Sequence, residues 1–209
     1  MKTLILTSSG KFITRNNIDE YLPKKIGDCN IAYITTASKK VDDTSYLEKH
    51  KQKMDELGYS YTEIDIAGKN EEQLKKELEG YDIVMVEGGN TFYLLKAVRA
   101  SGFDRVIKGL IEKGVVYIGA SAGSYIACPS IVMSTWSNTG FDRCGITDYT
   151  AMNLVPFLIK AHYTPDMKEV LEEKTKDVDY KTRILTDDQA IVVQNDTIKL
   201  LGGGQEIIL

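Results

Sequence analysis

Short runs of β-branched and aliphatic residues alternate along the chain with longer amphipathic stretches. The apolar runs predict strands over residues 3–7, 30–35, 60–64, 83–87 and 115–119. The amphipathic stretches predict helices over residues 44–57, 71–78, 91–100 and 103–112. This alternation is typical of βαβ units arranged around a mostly parallel sheet, so the pattern predicts an α/β fold.

The last part of the chain has a different pattern. Residues 190–194 and 197–201 are two strand candidates separated by Asn195-Asp196, a pair suited to a tight hairpin turn. Three glycines then lead into residues 205–209, a further strand candidate. Because no internal repeat or linker interrupts the chain, we expect one α/β domain over residues 1–209 with an antiparallel C-terminal edge.

Composition and charge exclude several classes of partner. The net charge is −4 and the basic residues are scattered among acidic ones, which disfavours a nucleic-acid or anionic-membrane surface. The apolar run at residues 1–7 is too short for a signal peptide or a membrane span. The three cysteines fit neither a disulfide framework nor a zinc site. We therefore expect a soluble cytoplasmic protein without metal or cofactor.

A serine stands at the centre of a turn built from small residues. The apolar run at 115–118 leads directly into Gly119-Ala120-Ser121-Ala122-Gly123, and a helix-compatible segment follows at 124–128. Strand, G-x-S-x-G and helix in this order form the context of a nucleophile elbow, in which the turn exposes the serine hydroxyl. A glycine-rich turn that only packs tightly, or that cradles a phosphate, remains the alternative. The pattern favours Ser121 as the nucleophile of a hydrolase.

A serine nucleophile needs a general base, and the chain contains two histidines. His50 lies among Glu48, Lys49 and Lys51, which predicts a solvated surface position. His162 ends an apolar run, and strand ends are where ligand sites of α/β sheets collect. We therefore predict His162 as the base, with a hydrogen-bonded core histidine as the alternative.

The imidazole should in turn be oriented by a carboxylate. Asp187 and Asp188 follow the apolar pair Ile184-Leu185 at a predicted strand end, although a surface turn explains either one equally well. An acid at this place gives the chain order serine, histidine, acid. The α/β-hydrolases instead place the acid before the histidine, so the order disfavours that fold.

A second glycine turn follows the strand predicted at 83–87. Gly88-Gly89-Asn90 opens the next helix, and its unobstructed backbone N–H groups could serve an oxyanion or a substrate carboxylate. A dinucleotide-binding turn is excluded because the third glycine and the downstream acidic residue are missing. An ordinary turn remains the alternative.

Taken in order, these motifs resemble peptidase family S51, which includes aspartyl dipeptidase and cyanophycinase. The matching stretches are Gly88 to Phe92 with Leu94-Leu95-Lys96, Tyr117 to Gly123, Ala127-Cys128-Pro129, Phe141-Asp142, Leu154-Val155-Pro156 and His162-Tyr163-Thr164. The resemblance implies a flavodoxin-like three-layer sandwich related to class I glutamine amidotransferases. It also implies a triad of Ser121, His162 and an acid, for which the alignment favours Asp187. The oxyanion donors would be the N–H groups of Gly89 and Ala122, and Gly88 and Asn90 would contribute to substrate binding.

Three departures from the family pattern limit what the resemblance predicts. Asp187 stands where the dipeptidases have glutamate, and Ala120 stands where they have tryptophan. The segment after His162 also lacks the arginine-bearing insertion expected to bind an aspartyl side chain. We therefore predict a serine exopeptidase for short peptides without assigning Asp-X specificity. A non-catalytic binding or sensor module and an esterase or amidase are the alternatives, and a homodimer is left open.

Overall fold

The computed structural model describes residues 1–137 and 141–209. Its main sheet contains seven strands: β1 (Thr3–Thr7), β2 (Asn30–Ile34), β3 (Ser60–Ile64), β4 (Ile83–Val86), β5 (Val116–Ala120), β8 (Gln189–Gln194) and β9 (Thr197–Gly202). The strand order is β3-β2-β4-β5-β1-β8-β9. The first five strands in this order are parallel, whereas β8 and β9 are antiparallel to their neighbours. The predicted parallel sheet with an antiparallel C-terminal edge is therefore confirmed.

Helices cover both faces of this sheet. They are α1 (Lys11–Arg15), α2 (Ser45–Glu56), α3 (Glu71–Glu77), α4 (Thr91–Ser101), α5 (Phe103–Glu112), α6 (Ala122–Ala127) and α7 (Lys168–Lys174). Side chains alternate between the faces along each strand: Leu4 and Leu6 of β1 pack with helices α3 to α7, while Ile5 packs with α1 and α2. Two apolar layers on either side of one sheet give the predicted flavodoxin-like three-layer sandwich. Among the described residues, no helix combines the length and apolar character needed to cross a bilayer.

Two short strands form a second, separate sheet. These are β6 (Leu158–Lys160) and β7 (Thr182–Ile184), which pair in parallel. The strand predicted over residues 205–209 is wrong, because this segment makes only an isolated bridge from Ile207 to Ile184. The chain turns at Gly202 and Gly204, both with positive φ, and then crosses β7 at that single point.

The topology collects polar residues at one edge of the sheet. Strands β4, β5 and β1 are parallel neighbours, so the residues that follow them, Glu87, Ser121 and Ser8, lie side by side. The segments after β6 and β7 reach the same edge and carry His162 and Asp187. Ligand sites of open α/β sheets form at the carboxyl ends of the strands, so this edge is the expected position of a functional site.

Candidate active site

Ser121 occupies a strained turn between β5 and α6. Its φ of 49° and ψ of −107° lie outside the regions that an L-residue ordinarily adopts. The turn is held by the Ser121 N–H, which donates to Thr7 O at 3.0 Å, and by the buried Ser124 hydroxyl. Gly123 is required by a close approach, since a Cβ there would stand 2.1 Å from Val86 O. The small residues of the motif thus let the helix turn back tightly beside β4 and leave the Ser121 hydroxyl exposed at the strand end.

His162 lies within hydrogen-bonding distance of this hydroxyl. Its Nε2 is 2.9 Å from Ser121 Oγ, and its backbone has a positive φ of 59°. Hydrogen bonds from the backbone N–H groups on both sides of His162 hold the strained position. Ala161 N–H donates to Tyr125 Oη at 3.1 Å, and Tyr163 N–H donates to Leu185 O at 3.0 Å. A strained conformation fixed in this way is typical of a side chain that must point in one direction.

Asp187 contacts the opposite nitrogen of the same imidazole. Its Oδ1 is 2.6 Å from His162 Nδ1, and this hydrogen bond, acting against partial burial, holds the pKa of Asp187 below its ordinary value of 3.8. Asp188, the next residue, points outward with 77% of its side chain exposed and has Arg15 at 3.9 Å. Of the two candidate acids, the structure brings only Asp187 to His162.

Ser8 is a site residue that sequence reasoning missed. Its hydroxyl accepts a hydrogen bond from His162 N–H at 2.8 Å and donates one to Asp187 Oδ1 at 3.0 Å. It therefore links the backbone of His162 to the carboxylate that contacts the imidazole. The residue follows directly after β1, and its position at a strand end was the available signal.

Gly89 and Ala122 lie on the two turns that meet at Ser121: Ala122 follows Ser121 directly, and Gly89 follows Gly88, where an added Cβ would stand 3.1 Å from Ser121 Cβ. Ala122 is the first residue of α6, so its N–H has no acceptor within the helix, and within residues 1–137 and 141–209 neither this N–H nor that of Gly89 donates a hydrogen bond. Gly89 has a φ of 138°, and a Cβ there would stand 2.5 Å from Ala37 O. Only glycine fits this position, and the geometry leaves both donors free for an oxyanion; that role stays a prediction.

The two residues predicted to bind substrate occupy different environments. Gly88 lines a cavity of about 650 Å³ together with Ser121 and His162, and its missing side chain leaves space above Ser121 Cβ. Asn90 is fully buried and caps α4: its Oδ1 accepts from Tyr93 N–H at 3.0 Å, and its Nδ2 donates to Asp142 O at 2.9 Å. Asn90 therefore supports the glycine turn from behind, without lining the cavity.

The prediction for His50 is wrong. This histidine is 4% exposed and forms a buried cluster with Tyr33 and Glu87. His50 Nδ1 is 2.7 Å from Glu87 Oε2, and the Tyr33 hydroxyl donates to the same oxygen at 2.5 Å. Leu47, His50 and Met54 are spaced by three and four residues and lie together on the inner face of α2. The helical period outweighs the charged neighbours that suggested a surface position.

This cluster lies directly behind the glycine turn. Glu87 Oε1 accepts a hydrogen bond from Gly88 N–H at 2.8 Å, and the Tyr46 hydroxyl donates to Gly88 O at 2.9 Å. Burial raises the pKa of Glu87, but the hydrogen bonds from His50, Tyr33 and Gly88 outweigh burial and hold the pKa below 4.5. The carboxylate is therefore part of the framework that orients the N–H of Gly89.

We expect the substitution E87Q to lower the free energy of unfolding by about 3 kcal/mol at pH 7, because it removes one partner from a buried, hydrogen-bonded cluster. The folded-state pKa of Glu87 is depressed, so the stability that the carboxylate contributes is present above pH 4.5 and is lost as the pH falls through the folded pKa. The difference between E87Q and the wild type should therefore narrow below pH 4.5. Urea unfolding at pH 7 and in acid measures both values.

Glu63 provides the matched control for this prediction. It is paired with Lys51 on the surface, with 43% of its side chain exposed, so E63Q should change the free energy of unfolding by no more than about 0.5 kcal/mol. Equal effects of E63Q and E87Q at pH 7 would mean that the buried cluster contributes no special stability.

Comparison with known proteins gives consistent matches over the chain. The profile described as Peptidase family S51 matches residues 4–201. The uncharacterized peptidase Lmo0363 of Listeria monocytogenes is 32% identical over 204 residues, which cover 95% of this chain and 97% of that protein. Peptidase E of a Nostoc species is 31% identical over 153 residues, covering 73% of this chain and 59% of that protein.

A solved structure matches at the level of the fold and of the sequence. It is the crystal structure of a candidate peptidase E from Listeria monocytogenes EGD-e, with a TM-score of 0.83 and 30% sequence identity. The match covers 98% of this chain and 100% of the Listeria chain. The two chains therefore share both their length and the arrangement of their elements.

Proposed function

The chain belongs to peptidase family S51 and is a serine-type peptidase, and from this premise we propose that it is an exopeptidase for short peptides that uses Ser121, His162 and Asp187. The observation that carries the proposal is the continuous contact from Asp187 through His162 to Ser121, with distances of 2.6 and 2.9 Å. We further propose that residues 1–209 form a single peptidase domain. All three cysteines are unpaired, which supports a reducing compartment, and we propose the cytoplasm.

The proposed chemistry follows from these contacts. Ser121 Oγ attacks the scissile carbonyl while His162 Nε2 takes the hydroxyl proton and returns it to the leaving amine as the C–N bond breaks. A water molecule, deprotonated by His162, then cleaves the acyl ester on Ser121, and the proton returns to Ser121 Oγ. Asp187 holds the other imidazole nitrogen in its protonated form and stabilises the imidazolium that develops. The N–H groups of Gly89 and Ala122 donate to the oxyanion, each stabilising the transition state by about 3 kcal/mol.

The size of the cavity supports a short substrate. A volume of about 650 Å³ is typical of small-molecule sites and accommodates few amino-acid residues. The non-catalytic alternative loses support, because His162 is 47% exposed at the cavity and contacts Ser121 instead of packing into the apolar core. An esterase or amidase using the same groups remains the competing activity.

Substrate profiling separates these activities. We expect free dipeptides to be hydrolysed with a higher kcat/KM than the same peptides carrying an N-acetyl cap, because an exopeptidase site recognises a free terminus. Simple alkyl esters and an unfolded protein substrate serve as comparisons. Faster turnover of the esters than of any dipeptide would favour the esterase, and cleavage of the protein substrate at internal bonds would contradict the exopeptidase assignment.

A further inference from the structure

Lys160 is a buried cation in the wall of the proposed substrate cavity. It is the last residue of β6, lies two positions before His162, and lines the same cavity as Ser121 and His162. The residue is only 4% exposed, whereas Lys11, which also lines the cavity, is exposed. Lys160 takes no part in proton transfer among Ser121, His162 and Asp187, so catalysis does not account for a buried lysine at this position.

The ammonium group of Lys160 has no counter-charge within the described residues. Among the described residues, its Nζ donates one hydrogen bond, to Ser137 Oγ at 2.7 Å. Among residues 1–137 and 141–209, no carboxylate oxygen lies within 4.0 Å of Lys160 Nζ, the limiting distance of an ion pair. Burial lowers the pKa of Lys160, and no neighbouring charge acts against it. A buried ammonium with a single neutral partner is costly to the folded state.

Glu87 is a second buried charge among the described residues, and its surroundings differ from those of Lys160. That carboxylate is 3% exposed and receives hydrogen bonds from Tyr33, Gly88 N–H and a histidine. The contrast indicates that the partner missing at Lys160 is supplied from outside the chain. An ammonium directed into a cavity selects an anion, and in a short peptide that anion is a carboxylate.

We propose that Lys160 is a specificity-determining residue that binds a carboxylate of the peptide substrate, either the terminal carboxylate or that of an acidic side chain. This inference rests on the proposed function, since it assumes that a peptide occupies the cavity beside Ser121. The bound carboxylate would provide the negative charge that the Lys160 ammonium lacks among the described residues. Peptides lacking any carboxylate would bind without this contact.

Peptide binding to the S121A protein, with and without K160M, tests the proposal without requiring turnover. The probes are Ala-Ala, Ala-Ala-amide and Asp-Ala-amide, which carry a terminal carboxylate, no carboxylate and a side-chain carboxylate. We expect K160M to weaken at least one carboxylate peptide by about 30-fold or more, and Ala-Ala-amide by less than about 2-fold. The peptide that loses affinity identifies the source of the carboxylate, and K160R should retain the preference.

Two results would overturn the proposal: unchanged affinity for every peptide, or equal losses that include Ala-Ala-amide. The second result would assign Lys160 a purely structural role. Failure of the proposed function is a separate observation, namely that the wild type hydrolyses no peptide in a manner dependent on Ser121.

Thermal unfolding of K160M separates a ligand-binding lysine from a structural one, because loss of a structural lysine would lower Tm. Methionine matches the length of lysine without its charge, so we expect K160M to raise Tm by about 2–4 °C while it weakens binding. K199M, the same change on an exposed residue of β9, should leave both Tm and affinity unchanged. A lower Tm for K160M than for the wild type would contradict the uncompensated charge on which the proposal rests.

Discussion

Replacing Ser121 with alanine should lower kcat for peptide hydrolysis by about a million-fold, the loss found when a serine peptidase loses its nucleophile. The hydroxyl lies 2.9 Å from His162 Nε2, and among the described residues no other hydroxyl forms a hydrogen bond with that nitrogen. The backbone strain at position 121 is the same for both residues, so stability should change little. Peptide affinity should be retained, because the N–H groups of Gly89 and Ala122 and the cavity wall stay in place.

Ser124 provides the control for S121A three residues further along the chain. Its hydroxyl is buried, and its single proton is shared between Thr7 O and Gly119 O, each 2.8 Å from Oγ, so S124A removes a structural hydrogen bond from the same turn. We expect S124A to lower the free energy of unfolding by about 1 kcal/mol and to keep kcat within about tenfold of the wild type.

Two measurements separate the variants. A fluorophosphonate reagent should label the wild type and S124A at residue 121 and leave S121A unlabelled, since only an activated serine reacts with it. Single-turnover and steady-state hydrolysis of a dipeptide then give the rates. If S121A keeps more than about one hundredth of the wild-type kcat, Ser121 is not the nucleophile.

The sequence predicts the parts of this site that local structure determines. The elbow at Ser121 depends on one strand, one turn and one helix that are consecutive in the chain, and small residues at Gly119 and Gly123 are visible without any structure. The turn at Gly88 and Gly89 is predicted for the same reason. In both places the spacing of elements along the chain fixes which backbone N–H groups reach the strand end.

The remaining parts depend on pairings between distant segments. Ser8 and Asp187 lie 179 positions apart and meet because β8 returns to pair with β1. No local pattern distinguishes Ser8 from Ser9 or from other serines that follow strands. Lys160 lies in an apolar run, and its neighbours Ile159 and Ala161 predict a buried strand without indicating a role for the lysine. Lys160 is buried because β6 packs against α6, a contact between distant segments that the local sequence does not predict.

The second large effect concerns the acid. D187N should lower kcat by about 10,000-fold at neutral pH, the loss found when the aspartate of a serine peptidase triad becomes asparagine. The pKa of Asp187 lies below 3.8, so at neutral pH the group is a carboxylate that accepts the Nδ1 proton of His162. An amide that presents its NH₂ group to Nδ1 stabilises the opposite tautomer, whose Nε2 carries the proton and cannot accept one from Ser121.

Asp188 supplies a matched control, because D188N makes the same change one residue away. Its side chain is 77% exposed and its ion pair with Arg15 is long, at 3.9 Å, so kcat should stay within about twofold of the wild type. Steady-state kinetics on the two variants decide between the acids. If only D188N lowers kcat, Asp188 and not Asp187 orients the imidazole. Equal, small losses in both would mean that Ser121 and His162 operate without a carboxylate. In that case the hydrogen bonds that hold the His162 backbone, from its own N–H to Ser8 Oγ and from the N–H groups of Ala161 and Tyr163 to Tyr125 and Leu185, would have to position the imidazole alone.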